Sequence, residues 1–125
     1  MVFVFGGAYQ GKLDFVRETF GVKEEEIVRC DQDGTPDLAG RVIYGIEEMT
    51  YGMTRRGEDA EKWIADHMAA FEDKILVCTD ISRGLVPMDT VERAWREING
   101  RCMNRIAARA DEVWSVFCGI GSRVK

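Results

Sequence analysis

Histidine is nearly absent from this chain: among 125 residues there is one, His67. The four cysteines, Cys30, Cys78, Cys102 and Cys118, are scattered, with no Cys-x-x-Cys pair and no histidine at ligand spacing. That pattern disfavours a zinc site or a disulfide framework, both of which need partners at set separations. Cys78 and Cys118 fall in strand-like apolar runs and Cys102 on a helical stripe, so they read as small buried hydrophobes. Positive charge is in deficit, with 17 Lys and Arg against 22 Asp and Glu and a formal charge of -5. The balance argues against nucleic acid or an anionic membrane as partner, while one bound nucleotide is compatible with it. No apolar stretch approaches the roughly 20 residues of a membrane span, and the N-terminus lacks a basic region and a cleavage site, so the expected location is cytoplasmic. Repeats, low-complexity tracts and linkers are missing too. The length suits one domain over residues 1–125, close to the lower limit for a nucleotide-binding α/β fold.

What is present begins at the N-terminus. An apolar run, Val2 to Phe5, leads into Gly6, Gly7, Ala8, Tyr9, Gln10, Gly11, Lys12 and Leu13. Gly6, Gly11 and Lys12 match the phosphate-binding loop Gly-x-x-x-x-Gly-Lys-Ser/Thr, whose glycines let backbone N–H groups converge on phosphate in front of a helix N-terminus while the lysine reaches the outer phosphates. The last position normally gives a hydroxyl to Mg²⁺, and Leu13 has none. Residues 6–13 are therefore expected to bind nucleotide, with Lys12 catalytic and the metal weakly held. Phe15, Val16 and Phe20 are spaced as the buried stripe of a helix ending at Gly21.

Strand-like runs recur at Val2 to Phe5, Ile27 to Cys30, Val42 to Ile46, Ile75 to Thr79 and Val113 to Cys118, with helical patterns between several of them. Such alternation predicts a mainly parallel sheet with flanking helices. One helix is expected from about Gly57 to Phe71, placing Ala60, Ile64, Met68 and Phe71 on one face with Trp63 and His67 beside them. A longer one starts at Asp89 with Glu92 as a capping box, and Val91, Trp95, Ile98, Cys102 and Ile106 form its stripe. Its charged face is expected to be solvated, with pairs such as Arg93 with Glu97. Gly119 to Ser122 reads as a turn that lets Arg123 to Lys125 pair antiparallel with Val113 to Cys118.

In an open α/β sheet the ligand lies beyond the carboxyl ends of the strands. Asp31, Glu47 with Glu48, and Asp80 follow three of the predicted strands. A carboxylate there, beside a phosphate loop, holds Mg²⁺ or orients an attacking hydroxyl. Glu47 and Asp80 are the candidates for catalysis and for metal.

From Ile75 onward the text becomes specific: Ile75 to Asp80, then Gly84-Leu85-Val86-Pro87, Gly100-Arg101-Cys102-Met103-Asn104-Arg105, Ala110-Asp111-Glu112-Val113-Trp114 and Gly119-Ile120-Gly121. Together with Gly6, Gly7, Gly11 and Lys12, this resembles the bifunctional adenosylcobinamide kinase and adenosylcobinamide-phosphate guanylyltransferase family of cobalamin biosynthesis. The resemblance implies a P-loop NTPase fold of RecA-like type with a C-terminal antiparallel hairpin, and a homo-oligomer, often a trimer. It implies GTP or ATP as phosphoryl donor, Mg²⁺, and the aminopropanol hydroxyl of a corrinoid, cobinamide, as acceptor. Glu47 with Thr50 and Thr79 with Asp80 lie where the family has strand-end carboxylates. Tyr9, Gln10 and Leu13 depart from the family loop. The family also transfers GMP through a histidine after the second strand; Gly34-Thr35-Pro36 stands there without one, so the covalent step lacks its nucleophile. His67 reads as a packing or surface residue. The rival expectation is a non-catalytic relative that binds nucleotide or corrinoid as a partner subunit or sensor, or one whose pocket Tyr9 closes by folding over the loop.

Overall fold

The computed structural model describes residues 1–82 and 89–125. Gly84 to Pro87 of the family-like text lie outside the described residues. Six strands form one sheet in the order β2-β3-β4-β1-β5-β6. β1 (Val2–Gly6), β2 (Ile27–Arg29), β3 (Val42–Tyr44), β4 (Ile75–Thr79) and β5 (Glu112–Phe117) run parallel, and β6 (Ile120–Arg123) returns antiparallel on β5. β1 is central, with Gly6 in register with Thr79 on one side and Val116 on the other. Its neighbours arrive by crossovers in opposite directions, which opens a crevice at the carboxyl ends.

Helix α1 (Lys12–Phe20) covers one face of the sheet, burying Phe15 and Val16 against Val4, Val42, Ile75, Val77 and Val116. Glycines in left-handed conformation bound it, Gly11 at φ 81° and Gly21 at φ 63°, where a side chain would be strained. Helices α2 (Ile46–Arg55), α3 (Ala60–Asp66) and α4 (Thr90–Arg109) cover the other face around Phe3, Ile43, Leu76 and Cys78. The result is the expected α/β architecture, three layers with a mainly parallel sheet and a closing antiparallel hairpin.

Several boundaries differ from expectation for local reasons. The third strand stops at Tyr44, because Gly45 turns the chain at φ 84° and Ile46 opens a helix rather than ending a strand. The helix expected from Gly57 to Phe71 begins only after Asp59, whose carboxylate accepts the Lys62 N–H, and gives way at His67 to a 3-10 turn, Met68–Phe71. Its four expected core residues, Ala60, Ile64, Met68 and Phe71, are all buried. Asp89 does cap α4, accepting from the Val91 and Glu92 N–H groups. On that helix Glu97 pairs with Arg101, one turn on, instead of Arg93, and Arg105 crosses to Glu61 of α3. The hairpin turns at Cys118 and Gly119, both with positive φ, as a two-residue turn between twisted strands requires. The final strand therefore starts at Ile120, ahead of the expected Arg123, and Cys118 is exposed at the turn instead of buried in a strand.

Candidate nucleotide-binding site

The phosphate-loop residues stand where β1 hands over to α1, and the close approaches there explain two of the glycines. A Cβ on Gly6 would lie 2.4 Å from the Val116 carbonyl oxygen, and one on Gly11 would lie 3.1 Å from the Gly119 Cα. The β5–β6 turn thus presses on the loop from behind. It is also bonded to it: the Gly119 N–H donates to the Gln10 carbonyl and the Cys118 N–H to the Gln10 side-chain oxygen, each at 2.7 Å. Gln10, a departure from the family loop, is therefore its brace, a role sequence reasoning missed. Tyr9 adopts φ 59° with its ring fully in solvent, so it does not fold over the loop to close it.

Lys12 is buried, only 5% exposed, and its ammonium donates to the Gly7 carbonyl at 2.8 Å. Burial lowers its pKa, and the nearby Glu47 carboxylate partly opposes the shift. Glu47 lies in the first turn of α2, where the helix N-terminus favours a negative charge, and one of its carboxylate oxygens accepts the Thr79 N–H at 2.8 Å. Burial pushes the Glu47 pKa up, against the pull of the Thr79 amide and Lys12. Tyr44 has its phenol pKa raised as well, first by burial and then by Glu47.

A cleft of about 460 Å³ at the carboxyl ends brings these groups together; Ala8 to Leu13, Glu47 and Thr79 line it, with Trp95 from α4. Of the other loop residues expected to bind nucleotide, Gly6 ends β1 and Gly7 gives its carbonyl to Lys12, and neither lines the cleft itself. Asp80 follows Thr79, its N–H donating to the Gly6 carbonyl at 2.8 Å and its Oδ1 accepting from the Ser82 amide and hydroxyl. Of the other strand-end acids, Glu48 lines the cleft, and Asp31 accepts the Asp33 N–H in the loop after β2. His67 is half-buried and stacked on Trp63 with ring centroids 4.1 Å apart, the packing role expected of it. A second cavity, about 340 Å³, is lined by Met1, Met68, Glu72, Arg109 and Asp111 and holds none of the candidate residues. The Gly100 to Arg105 text sits on α4, where Arg101 and Arg105 are spent on ion pairs with Glu97 and Glu61.

Charge decides what the cleft can take. Among the described residues lining it, Lys12 and Arg17 face Asp14, Glu47 and Glu48. Two cations against three carboxylates among these described residues leave the charge of a triphosphate uncompensated, which is charge that a divalent cation would balance. No group of three potential ligands among the described residues forms a cage for one. The donor set fits Mg²⁺ all the same, since that ion takes one or two carboxylates and completes its shell with phosphate oxygens and water.

Comparison with known proteins bears on the remainder of the chain. Residues 38–124 match the family model described as cobinamide kinase / cobinamide phosphate guanyltransferase, and the phosphate loop lies outside that stretch. The chain is similar to the bifunctional adenosylcobalamin biosynthesis protein CobU of Salmonella typhimurium, 45% identical over 51 residues, which is 41% of this chain and 28% of that protein. The corresponding Escherichia coli protein is 41% identical over the same shares. The match thus spans little more than a quarter of these relatives' length. Model and relatives agree with the resemblance read from the sequence, and with a P-loop α/β sheet behind it, so the chain belongs to the cobinamide kinase / cobinamide phosphate guanyltransferase family.

Proposed function

We propose that this chain binds GTP or ATP in the cleft at the carboxyl ends and transfers the terminal phosphoryl group to the aminopropanol hydroxyl of cobinamide, the kinase half of the family's chemistry in cobalamin biosynthesis. The observation that supports this reading most is the meeting of a braced phosphate loop, a buried lysine and a strand-end carboxylate in one cleft. Loop amides of residues 7–12 cradle the phosphates, and Lys12 exchanges the Gly7 carbonyl for a phosphate oxygen. Glu47 is assigned to the metal or the acceptor hydroxyl, because its carboxylate lines the cleft. Asp80, the other candidate, stands one residue beyond it with an oxygen engaged by Ser82. Mg²⁺, when bound, spreads the charge that develops on the phosphate oxygens.

The bonds balance simply: the acceptor oxygen bonds to the terminal phosphorus, the bridging P–O bond to the departing diphosphate breaks, and the hydroxyl proton leaves to Glu47 or water. A raised carboxyl pKa suits that base role. Guanylyl transfer is no part of the proposal, because His67 is packed on Trp63 and no histidine lines the cleft among the described residues. A homo-oligomer, which the resemblance implies, belongs to the same proposal, and the exposed Phe117, Ile120 and Val124 of the last hairpin are where it would bury surface.

The test is transfer of labelled terminal phosphate from GTP and from ATP to cobinamide with Mg²⁺ present. Transfer that disappears in Lys12→Ala is the expected result. Nucleotide binding without transfer would instead favour the non-catalytic reading that Leu13 suggests.

A further inference from the structure

Asn99 occupies a position where the stripe of α4 would take an apolar residue, and it is fully buried, as is Thr50 of α2. A buried amide must be bonded or it costs stability; besides sulfur contacts to Cys78 and Met103 at 3.7 and 3.6 Å, its oxygen and nitrogen partners lead to one place. The Thr50 hydroxyl donates to Asn99 Oδ1 at 2.8 Å, and Asn99 Nδ2 donates to the Thr79 carbonyl at 3.4 Å. Trp95 Nε1 donates to the Glu47 carbonyl and to Thr50 Oγ1, each at 3.0 Å. Thr79, held from its carbonyl side by Asn99, presents its N–H to the Glu47 carboxylate at 2.8 Å. The directions of donation run indole to hydroxyl, hydroxyl to amide oxygen, amide nitrogen to the β4 carbonyl, and β4 amide to carboxylate, with the one Thr50 hydroxyl proton shared between Asn99 Oδ1 at 2.8 Å and the Glu47 carbonyl at 3.0 Å. The network starts from the Trp95 indole and touches Glu47 twice, its main-chain carbonyl and its carboxylate both accepting.

We infer that Asn99 is a positioning residue for Glu47: it locks the end of β4 to helices α2 and α4, and so fixes where the Glu47 carboxylate stands in the cleft. The inference rests on the reading of Glu47 as the working carboxylate, but its geometry has a readout of its own. A merely space-filling residue would be an apolar one, and this site has instead a two-sided amide whose donor and acceptor are both used. Trp95 joins the same network while forming a wall of the cleft and packing edge-on against Tyr51 at 5.0 Å, so α4 feels the contents of the site through the same bonds.

The experiment is amide NMR of the labelled full chain, following the Thr79 N–H, alongside phosphoryl-transfer kinetics. Asn99→Leu keeps the branching and heavy-atom count of the side chain, is somewhat bulkier, and removes the bonds to Thr50 and Thr79. It is expected to move the Thr79 amide resonance upfield and to speed its hydrogen exchange by about tenfold or more. In the kinetic arm it lowers kcat with the nucleotide KM unchanged, since the phosphate loop is untouched. Thr50→Val should act in the same direction and Thr50→Ser should restore the wild-type signal, so the inference is still tested where Asn99→Leu fails to fold. Ile106→Val, a buried change on the same helix, controls for general loosening. The inference is overturned if folded Asn99→Leu or Thr50→Val leaves the Thr79 amide where it was, or if Ile106→Val moves it as far. A wild-type chain that transfers no phosphate would refute the proposed function, while the amide measurement still decides the role of Asn99.

Discussion

Replacing Lys12 with methionine separates what the fold needs from what the site needs. The lysine is buried at the head of α1, where its hydrogen bond to the Gly7 carbonyl at 2.8 Å and the attraction of Glu47 offset part of the loss of hydration. Methionine has nearly the same length and no charge to desolvate, and Gly7, whose carbonyl would lose its partner, is only half-buried. Methionine removes the cost of desolvating the ammonium, and Glu47, whose pKa burial already raises, can take up a proton once the cation is gone, so thermal unfolding should show a melting temperature unchanged or raised, by about 4 °C per kcal/mol gained in a chain of this size. Nucleotide binding should move the other way. A charge-assisted bond to phosphate is worth about 1.5–3 kcal/mol, which corresponds to a dissociation constant raised roughly 10- to 150-fold. Calorimetric titration with GTP and ATP in the presence of Mg²⁺ reads this without any acceptor. The pH dependence adds a sign check. A lysine whose folded pKa is depressed makes the folded state bind fewer protons than the unfolded one, so wild-type stability rises with pH between the depressed value and the ordinary lysine value, and Lys12→Met should lose that rise. A Lys12→Met protein that is markedly less stable yet binds nucleotide within twofold of wild type would refute the reasoning.

The carboxylate gives a complementary pair of outcomes. Glu47→Gln should abolish phosphoryl transfer while leaving nucleotide affinity in the absence of Mg²⁺ equal or better. Because burial raises the Glu47 pKa, wild-type stability is lost as pH rises from the ordinary glutamate range through the raised value, so denaturant unfolding should show the Gln variant gaining on wild type across that same rise in pH. Leu13→Ser restores the hydroxyl the loop lacks and should raise Mg²⁺-dependent turnover by tenfold or more on the order of one metal-ligand contact; steady-state rates at saturating Mg²⁺ check it. Gly6→Ala places a Cβ 2.4 Å from a strand carbonyl and should cost about 1–3 kcal/mol while abolishing nucleotide binding, as chemical denaturation and the same titration would show.

Much of this was legible in the sequence because the signals are local. The loop announced itself through Gly6, Gly11 and Lys12, α1 through its bounding Gly21, and β4 through a run that starts and stops where expected. Helix α2 was hidden, although Ile46, Met49 and Met53 carry its stripe, because the apolar run from Val42 masks its start and Gly52 within it lowers its helix propensity. Gly52 is there for a reason outside its own neighbourhood: a Cβ would fall 2.0 Å from the Gln32 carbonyl oxygen. The site divides the same way. Lys12 was readable from the phosphate-loop pattern and Glu47 as an acid after a strand, whereas the roles of Gln10, Thr79 and Asn99 arise from contacts 108, 32 and 20 residues away in sequence.

The split between kept and altered loop positions now has a steric account, and that account singles out Lys12. Gly6 and Gly11 are fixed by the packing of the hairpin against the loop and by a left-handed backbone, so the fold alone would preserve them whether or not phosphate ever binds. Tyr9 is in solvent and the Gln10 side chain has been recruited as a brace, so departures there are compatible with an intact loop. Leu13 removes a hydroxyl without disturbing the backbone of α1. None of these positions therefore distinguishes a working site from a fossil one. Lys12 does, because a buried ammonium bonded to a single loop carbonyl contributes little that a methionine would not. Its presence is what a phosphate-binding function explains and packing does not.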